Sequence, residues 1–522
     1  MFQGTGRGSR RRPILIVVTL AVAFGALSVI SAPVGAQSGG KVDKAAVLRF
    51  GVPIEENGGV FFDPATPATT SNPTGRLWLD LIYDTMIHNT VDGEGAPGLA
   101  TKWTTPDPST VELTLRDGVK FSDGTPLTAA AVKAAWERNV AAPRPNKPDE
   151  IQSISAIEAP DDKTIRIRLS KPIAKQFINT ELKNANFLGV TAPSSVAAGT
   201  ANTKPVGAGP YMLDNYSTGK MVLKKNPNFY DPKAQKLAGV EFVNMSNGQP
   251  AVSALQSNQV DLIWSIPPDA IETLEGAGFE VTSTPSERAY QIGLCTTNGV
   301  FTSKPARQAI NYAVDRDAIN DGALAGTGQP TLSPVPPQSP FYDKAIYKGV
   351  SHNLKKAKAL LKEGDVAPGT PVKALVAAQA PFTTIAEIVQ QQLKEVGLDM
   401  QITQSTNFAA DINTLKPDMA IITIEPSRFS QFFSGTPGVT NWCGNSNPEI
   451  AAALTATLDS SKTEAEVAAA YETLQKLVLE ESPNVPLNML GLLAAHTDRV
   501  KGVDIINSPY GPQLNTVYMV KG

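Results

Sequence analysis

The chain has 522 residues, more than a single hydrophobic core usually supports, so two or three packed units are expected. Hydrophobic residues make up 42% and charged residues 18% of the sequence, as in ordinary globular proteins. The formal net charge of −3 argues against a nucleic-acid partner, because a polyanion would require a basic surface.

The N-terminal segment has the pattern of an export signal. Arginines precede an apolar run over residues 14–30, and small residues follow as far as Ala36. This pattern predicts a signal peptide over residues 1–36 and a polar linker over residues 37–44. An uncleaved membrane anchor is the alternative, since the run approaches the roughly 20 residues of a transmembrane helix. No cysteine near the cleavage point offers a lipoprotein anchor, and both Sec and twin-arginine export stay open.

After the linker, short β-rich runs alternate with amphipathic helices, which predicts α/β lobes. The chain opens with a strand at 46–53 and a helix at 74–83, and Asp117 and Gly118 then predict a β-hairpin turn. Thr128 is the predicted N-cap of a helix at 129–140. The later predicted elements are strands at 165–169 and 221–225, a helix at 250–257, a strand at 372–376, a helix at 384–396, and strands at 400–403 and 419–423.

The sequence shows no catalytic constellation. Its three histidines, His88, His352 and His496, are widely separated and lack the spacing of metal ligands. A nucleophile elbow, a P-loop and a zinc-protease motif are also missing. We therefore expect a protein that is not an enzyme and that carries neither a metal nor another cofactor.

Two cysteines, Cys295 and Cys443, are present. In an exported protein they would form one disulfide, or else they are two buried free thiols. The sequence alone does not decide between these alternatives, because the bond depends on the distance between their α-carbons.

Several ordered blocks carry a resemblance to a known family. Residues 113–129, LTLRDGVKFSDGTPLTA, resemble its pattern LRxGVKFxDGxPxTA. Further similar blocks are GAGPY at 207–211, VLKKNPNFY at 222–230, ALQSNQVD at 254–261, ARQAINYAVDR at 306–316, the helix at 353–364 and SPNVPL at 482–487. The chain resembles the peptide/nickel-binding proteins, family 5 of the bacterial solute-binding proteins.

The resemblance implies a two-lobed periplasmic-binding-protein fold of type II, cluster C-like, with a ligand cleft between the lobes. It implies a discontinuous lobe I (45–90, 205–288 and 498–522), an inserted subdomain (91–204) and a lobe II (289–497). The implied function is capture of a peptide or other small polar solute for the permease of an ABC importer, by a monomer in the periplasm or outside the cell envelope. A ligand-binding sensory module and an exported hydrolase are the alternatives.

The solute is less certain from the sequence. Peptide receptors of the family carry a Trp-x-x-Asp-Tyr stretch that pairs with the α-ammonium group, whereas this chain has IEPSRF at 424–429. Glu425 could replace the acid, and Arg428 equally suggests an anionic group on the ligand. From their placement, the candidate ligand-binding residues are Phe62, Asp63, Trp264, Asn298, Glu425, Arg428, Asn441 and Trp442.

Overall fold

Strands and helices alternate along the chain, as the sequence predicts. The structure is a computed structural model that describes residues 40–55, 59–66, 73–90, 93–144, 147–424, 429, 432–433, 435, 438, 440–503 and 511–522. The signal peptide predicted at 1–36 lies outside the described residues. Within the described part of the chain, no helix is long and apolar enough to cross a membrane.

The strands differ widely in length. They are β1 (Val47–Val52), β2 (Ile87–His88), β3 (Ala96–Pro97), β4 (Ala100–Asp107), β5 (Thr110–Leu115), β6 (Ile154–Glu158), β7 (Thr164–Leu169), β8 (Tyr211–Ser217), β9 (Lys220–Lys225), β10 (Gly239–Asn244), β11 (Leu262–Trp264), β12 (Glu280–Leu294), β13 (Gln329–Pro330), β14 (Thr370–Ala377), β15 (Leu398–Ser405), β16 (Met419–Ile424), β17 (Asn484–His496), β18 (Val500–Lys501) and β19 (Tyr518–Met519).

The helices pack on the sheets and connect their strands. They are α1 (Arg76–Tyr83), α2 (Ala129–Ala141), α3 (Asp149–Gln152), α4 (Ala174–Thr180), α5 (Pro193–Ala197), α6 (Gln249–Gln256), α7 (Ile271–Gly276), α8 (Lys304–Ala313), α9 (Arg316–Leu324), α10 (Leu354–Glu363), α11 (Phe382–Val396), α12 (Phe408–Leu415), α13 (Pro448–Leu458) and α14 (Glu464–Glu481). Short 3-10 helices lie at Pro73–Gly75, Pro268–Ala270, Val300–Thr302 and Lys344–Tyr347.

Local signals explain where the main helices begin and end. The Thr128 side chain accepts a hydrogen bond from the backbone N–H of Ala131 and caps α2, while Trp136 on the same helix is fully buried. Helix α11 ends at Gly397, which has a φ of 98° and takes the left-handed conformation that a glycine adopts without steric cost. These two features confirm the helix boundaries predicted from the sequence.

The predicted hairpin at Asp117 and Gly118 is wrong. The two residues form a turn, but residues 119–121 make only an isolated bridge, between Lys120 and Pro126. Strand β5 instead pairs with β4 on one side and with β7 on the other. Because both edges of β5 are occupied, the residues after the turn have no free edge to join.

One large sheet organises most of the chain. Its eleven strands follow the order β15-β14-β16-β12-β17-β11-β1-β10-β9-β8, and β13 pairs with β17 off this path. Strands β14, β15 and β16 are parallel at one end, and β1, β10 and β11 are parallel toward the other. The antiparallel pair β12 and β17 joins these two parallel groups.

The hydrophobic core is divided in the same way. A cluster around Phe50, Trp78 and Phe242 lies on the β1 side, and clusters around Ile292 and Phe432 lie on the β14 side. A further cluster is built from residues 86–208 around the small sheet β4-β5-β7-β6. Each cluster buries its own apolar face, and the small sheet is separate from the large one.

Candidate functional site

The two groups of parallel strands both end near the middle of the large sheet. Ile424, the last residue of β16, lies opposite Ala289 of β12, and Trp264, the last residue of β11, lies opposite Ala494 of β17. The carboxyl ends of the parallel strands therefore point from both sides toward the centre of β12 and β17. In open α/β sheets, ligands bind outside the carboxyl ends of the strands, so this central region is the expected binding cleft.

The long strands are irregular at this same place. The pairing of β12 with β17 shifts between Pro285 and Ala289, which leaves Ser286 to Arg288 as a bulge. The Ser286 Oγ accepts a hydrogen bond of 3.1 Å from the Arg288 backbone N–H. A bulge bends its strand and redirects side chains, so it offers a place where the two halves of the sheet can change their angle.

A pocket of about 280 Å³ opens beside the bulge. Its walls come from β12, β16, the carboxyl end of β14, the first residues of α11 and α12, and Thr440. The lining residues are Arg288, Ala377, Gln379, Phe382, Phe408, Ile421, Ile422, Thr423, Ile424 and Thr440. We call this space the hinge pocket.

Arg288 is the single charged residue among the lining residues of the hinge pocket. Its Nη2 donates a 2.7 Å hydrogen bond to the Thr423 Oγ1 on the neighbouring strand β16. This bond holds the guanidinium at the pocket wall. An apolar recess with one fixed cation is suited to a ligand that has an apolar body and an anionic end.

The next residue along the bulge carries the opposite charge. Desolvation raises the pKa of the Glu287 carboxyl above its ordinary value. Burial also raises the pKa of Tyr471 on α14, and the negative charge of Glu287 adds to this effect. Arg288 lines the hinge pocket, whereas Glu287 is not among its lining residues.

The predicted residues Phe62 and Asp63 are buried within the β1 side of the molecule. The Phe62 carbonyl accepts a 2.7 Å hydrogen bond from the Tyr83 hydroxyl. Asp63 forms an ion pair with Arg138 of α2, in which Arg138 Nη1 lies 2.8 Å from Asp63 Oδ1. These contacts tie β1 and α1 to residues 91–204, and the predicted ligand contacts of both residues stay predictions.

Trp264 and Asn298 lie apart from each other. Trp264 is partly buried at the carboxyl end of β11, next to Gly511. Asn298 is exposed beyond the end of β12, and its Oδ1 lies 3.2 Å from the sulfur of Cys295. Glu425 and Arg428 were also predicted as ligand contacts, but both lie outside the described residues.

Asn441 and Trp442 form a fixed wall next to the end of β12. The Asn441 side chain makes two hydrogen bonds to the backbone of Asn445, and the Trp442 indole donates one of 2.8 Å to the Pro417 carbonyl. A Cβ at Gly293 would lie only 2.9 Å from the Trp442 ring, so β12 and the indole pack closely. Both residues are 2% exposed and pack in this wall, and their predicted ligand contacts stay predictions.

Cys295 and Cys443 are joined by a disulfide in the structure, with their α-carbons 5.6 Å apart. The bond fastens the wall around Trp442 to the end of β12. The Thr297 hydroxyl adds a 2.9 Å hydrogen bond to the Cys443 carbonyl. Thr440, which lines the hinge pocket, directly precedes Asn441 and Trp442 of this wall.

A larger cavity, of about 430 Å³, lies elsewhere and shares none of the hinge pocket's lining residues. Several of its charged groups are bonded to neighbouring side chains. Asp84 accepts a 2.8 Å hydrogen bond from the Tyr230 hydroxyl and lies 2.7 Å from the Nε2 of His88, and Asp80 pairs with Arg76 at 3.1 Å. Burial by itself lowers the pKa of His88, but the Asp84 charge raises it above the ordinary value overall.

The sequence analysis missed the residues of the hinge pocket. Arg288 stands next to the predicted boundary at 288/289, and no residue-level pattern distinguishes it from an exposed arginine in a strand. Phe382 and Phe408 read as ordinary first-turn residues of their helices. A useful signal would have been their position, since each follows the carboxyl end of a predicted parallel strand. Among the described residues, no group of three His, Cys, Asp or Glu side chains could hold a metal ion.

Comparisons with known proteins agree on one family. The model of the bacterial extracellular solute-binding proteins, family 5 Middle, matches residues 94–446. The glutathione-binding protein GsiB of Escherichia coli (strain K12) is 27% identical over 431 residues, which cover 77% of this chain and 82% of that protein.

Solved structures show the same fold. The periplasmic binding protein DppA from Helicobacter pylori, in complex with the peptide STSA, is similar with a TM-score of 0.74 and 24% identity, over 91% of this chain and 98% of that one. The binding protein AgaA from A. tumefaciens R10, in complex with agropinic acid, has a TM-score of 0.74 and 25% identity, over 91% of this chain and 99% of that one. The α/β fold is therefore that of the two-lobed periplasmic binding proteins, as the sequence resemblance implied.

Proposed function

Since the chain belongs to the bacterial extracellular solute-binding proteins of family 5, we propose that its hinge pocket binds the anionic end of a small peptide or another polar organic solute. The protein is a substrate-binding component of an ABC importer and not an enzyme. It works with ABC permeases on the outer side of the cytoplasmic membrane. The observation that carries the proposal is the position of Arg288, at the bulge where both sets of carboxyl strand ends meet.

The relatives' ligands are consistent with an anionic group. The relative GsiB is named for glutathione, and DppA was solved with the peptide STSA. Every unmodified peptide ends in a carboxylate, and glutathione is itself a small peptide. An arginine fork recognises a carboxylate through two parallel hydrogen bonds, which favours this class of solute over neutral sugars.

The remainder of the hinge pocket would bind the less polar part of the solute. Phe382 and Phe408 supply aromatic surface, while Gln379 and Thr440 supply polar groups near the opening. Closure of the lobes over the solute would remove water, and the charge pair with Arg288 would then gain strength in the lower dielectric. The solute shifts the open and closed populations only through contacts that it makes in the closed form.

We propose lobe bounds close to those of the sequence analysis, with lobe I at 45–90 and 205–288 and the inserted subdomain at 91–204. The bulge at Ser286 to Arg288 supports the first crossing between the lobes at 288. For the second crossing, residue 490 is preferred to 497, because Leu492 to His496 pair with Thr284 to Glu280 on the lobe I side. Lobe II would then be 289–490, and residues 491–522 would return to lobe I.

The export segment and the assembly state are also proposals. A cleaved signal at 1–36 is compatible with the compact unit that begins at Lys41. A monomer is expected because two lobes of one chain can enclose a small solute without a second copy.

Native mass spectrometry of the full chain, purified without denaturation, tests the function first. We expect a carried-over small anionic solute, or stabilisation in thermal-shift assays by glutathione or the peptide STSA, since a ligand that binds only the folded state raises the melting temperature. Neutral oligosaccharides serve as the control. Stabilisation by neutral sugars alone would contradict the role proposed for Arg288.

A further inference from the structure

A second contact joins the two sides of the molecule, far along the chain from the crossings in β12 and β17. The loop between α13 and α14 meets the start of α4 in the inserted subdomain. The Ser460 backbone N–H donates a 2.6 Å hydrogen bond to the Pro172 carbonyl. The Ser460 Oγ accepts a 3.0 Å hydrogen bond from the Lys175 backbone N–H. One serine therefore serves as donor and acceptor to a segment about 285 residues away.

The loop that presents Ser460 is fixed by its own hydrogen bonds. The Asp459 carboxylate accepts from the Ser461 backbone N–H at 2.9 Å and from its hydroxyl at 2.6 Å. Helix α14 then begins with a capping box between Thr463 and Glu466. Because these neighbours satisfy the turn, the polar groups of Ser460 are directed to the inserted subdomain.

The start of α4 has no acceptor of its own for the backbone N–H of Lys175. Lys175 is the second residue of α4, and the first N–H groups of a helix have no acceptor within the helix. The N-cap of α4 is Ile173, whose side chain cannot accept a hydrogen bond. The Ser460 hydroxyl therefore supplies to α4 an acceptor that the inserted subdomain does not provide.

The α13–α14 hairpin is connected to the hinge through the loop at 338–341. The Tyr471 ring on α14 stacks on Phe341 with ring centroids 4.5 Å apart, and the Gln338 side chain donates a 3.3 Å hydrogen bond to the Ser286 carbonyl in the β12 bulge. The hairpin and this loop together extend from the bulge to the inserted subdomain. A hinge rotation at the bulge would move the tip of this hairpin relative to Pro172 and Lys175.

We infer that Ser460 is a positioning residue for cleft closure, and that the inserted subdomain carries the surface to which it fastens. The two hydrogen bonds of Ser460 are directional and join two bodies that are linked by a hinge. They form in one relative orientation of these bodies only, so they stabilise that orientation relative to more open ones. The inference rests on the proposed function in one respect, since it requires a cleft that closes.

The Lys175 amide tests the contact without any solute. In the full chain, the Ser460→Ala variant should exchange the Lys175 amide hydrogen for deuterium about tenfold faster than the unmodified protein, because its acceptor is gone. The Phe177 amide, bonded to the Ile173 carbonyl at 2.9 Å, should keep its rate and shows that α4 stays folded. Thr455→Ala, at an exposed residue of α13 in the same hairpin, is the matched control, and Ser460→Thr should restore the slow exchange.

Small-angle X-ray scattering of the same variants tests closure. We expect a larger radius of gyration for Ser460→Ala than for the unmodified protein, Thr455→Ala or Ser460→Thr. Faster Lys175 exchange with identical scattering would mean an incidental surface contact, and unchanged exchange would mean no contact in solution; either result overturns the inference. Because neither readout uses a solute, failure here is distinct from a failure to find an anionic ligand by mass spectrometry.

Discussion

The two cavities described above differ in position and in lining. The larger one, near α1, contains Asp80, Asp84 and His88, which bond to one another or to neighbouring side chains. The hinge pocket is smaller, and its one charged lining residue, Arg288, bonds to Thr423 at a bend between two halves of a sheet. Volume and the number of charges favour the larger cavity, whereas position at the carboxyl ends of parallel strands favours the hinge pocket, which we propose as the binding site.

The disulfide lies only on the side of the hinge pocket. Its removal should therefore give the largest difference in stability between the two regions. Replacing both Cys295 and Cys443 by alanine should lower the free energy of unfolding by about 2–5 kcal/mol, since the denatured chain is no longer constrained. Urea denaturation measures the loss, with the unmodified protein in reducing agent as the parallel case. Equal stability with and without the disulfide would contradict this prediction.

Asp84 should be structural, although it lies in the larger cavity. It is 6% exposed and has a φ of 58° and a ψ of 172°, a backbone conformation that non-glycine residues rarely adopt. Asp84→Ala would leave His88 and Tyr230 without their partner and should destabilise the fold by about 3 kcal/mol. Asp231→Ala, at an exposed carboxylate of the same cavity, should change stability by less than about 1 kcal/mol.

Solute affinity should be unchanged in a folded Asp84 variant, as measured by calorimetry with glutathione or the peptide STSA, whichever stabilises the unmodified protein. A selective loss of affinity without a loss of stability would reverse the assignment of the two cavities.

Arg288→Gln should lower solute affinity more than it lowers stability. We expect affinity for the anionic solute to fall by about 10- to 100-fold, because a charge-assisted hydrogen bond contributes about 1.5–3 kcal/mol. The solute-free protein should lose about 1 kcal/mol of stability with the hydrogen bond from Arg288 to Thr423. Arg288→Lys keeps the charge and should recover only part of the affinity, since it lacks the planar fork. Titration calorimetry gives both values. An affinity equal to that of the unmodified protein would exclude Arg288 from the site.

The last expected effect is on the pH dependence of stability and comes from the buried carboxyl of Glu181. Burial, followed by repulsion from Glu150, raises its pKa to about 8. The folded state then holds a proton that the unfolded state loses above its ordinary pKa of about 4.5. Stability from this group is therefore complete below pH 4.5 and declines as the pH rises toward 8.

Glu181→Gln should reduce this decline in the free energy of unfolding with pH. The decline amounts to a few kcal/mol at most. Urea unfolding at pH 5 and pH 8 measures it, and Glu464→Gln at an exposed carboxyl should leave the slope unchanged. Parallel slopes for the unmodified protein and Glu181→Gln would show that the carboxyl is ionised in the folded state.

Local sequence patterns determined most of the secondary structure. The strand at β1, the N-cap at Thr128, the strand-helix-strand unit β14-α11-β15 and the stop at Gly397 all follow from side-chain periodicity and backbone preference over a few residues. The ordered family blocks determined the fold class and the role in transport. These properties need no knowledge of distant residues.

Only the tertiary structure decided which residues line the hinge pocket and which contacts join distant parts of the chain. The hairpin predicted at Gly118 does not form, because β7 occupies the edge of β5. Asn441 and Trp442 pack against the end of β12. The pairing of Cys295 with Cys443, the meeting of Arg288 with Thr423 and the contact of Ser460 with Lys175 each join residues more than 100 positions apart. Such contacts depend on strand order and on bends in the sheet, which local patterns do not encode.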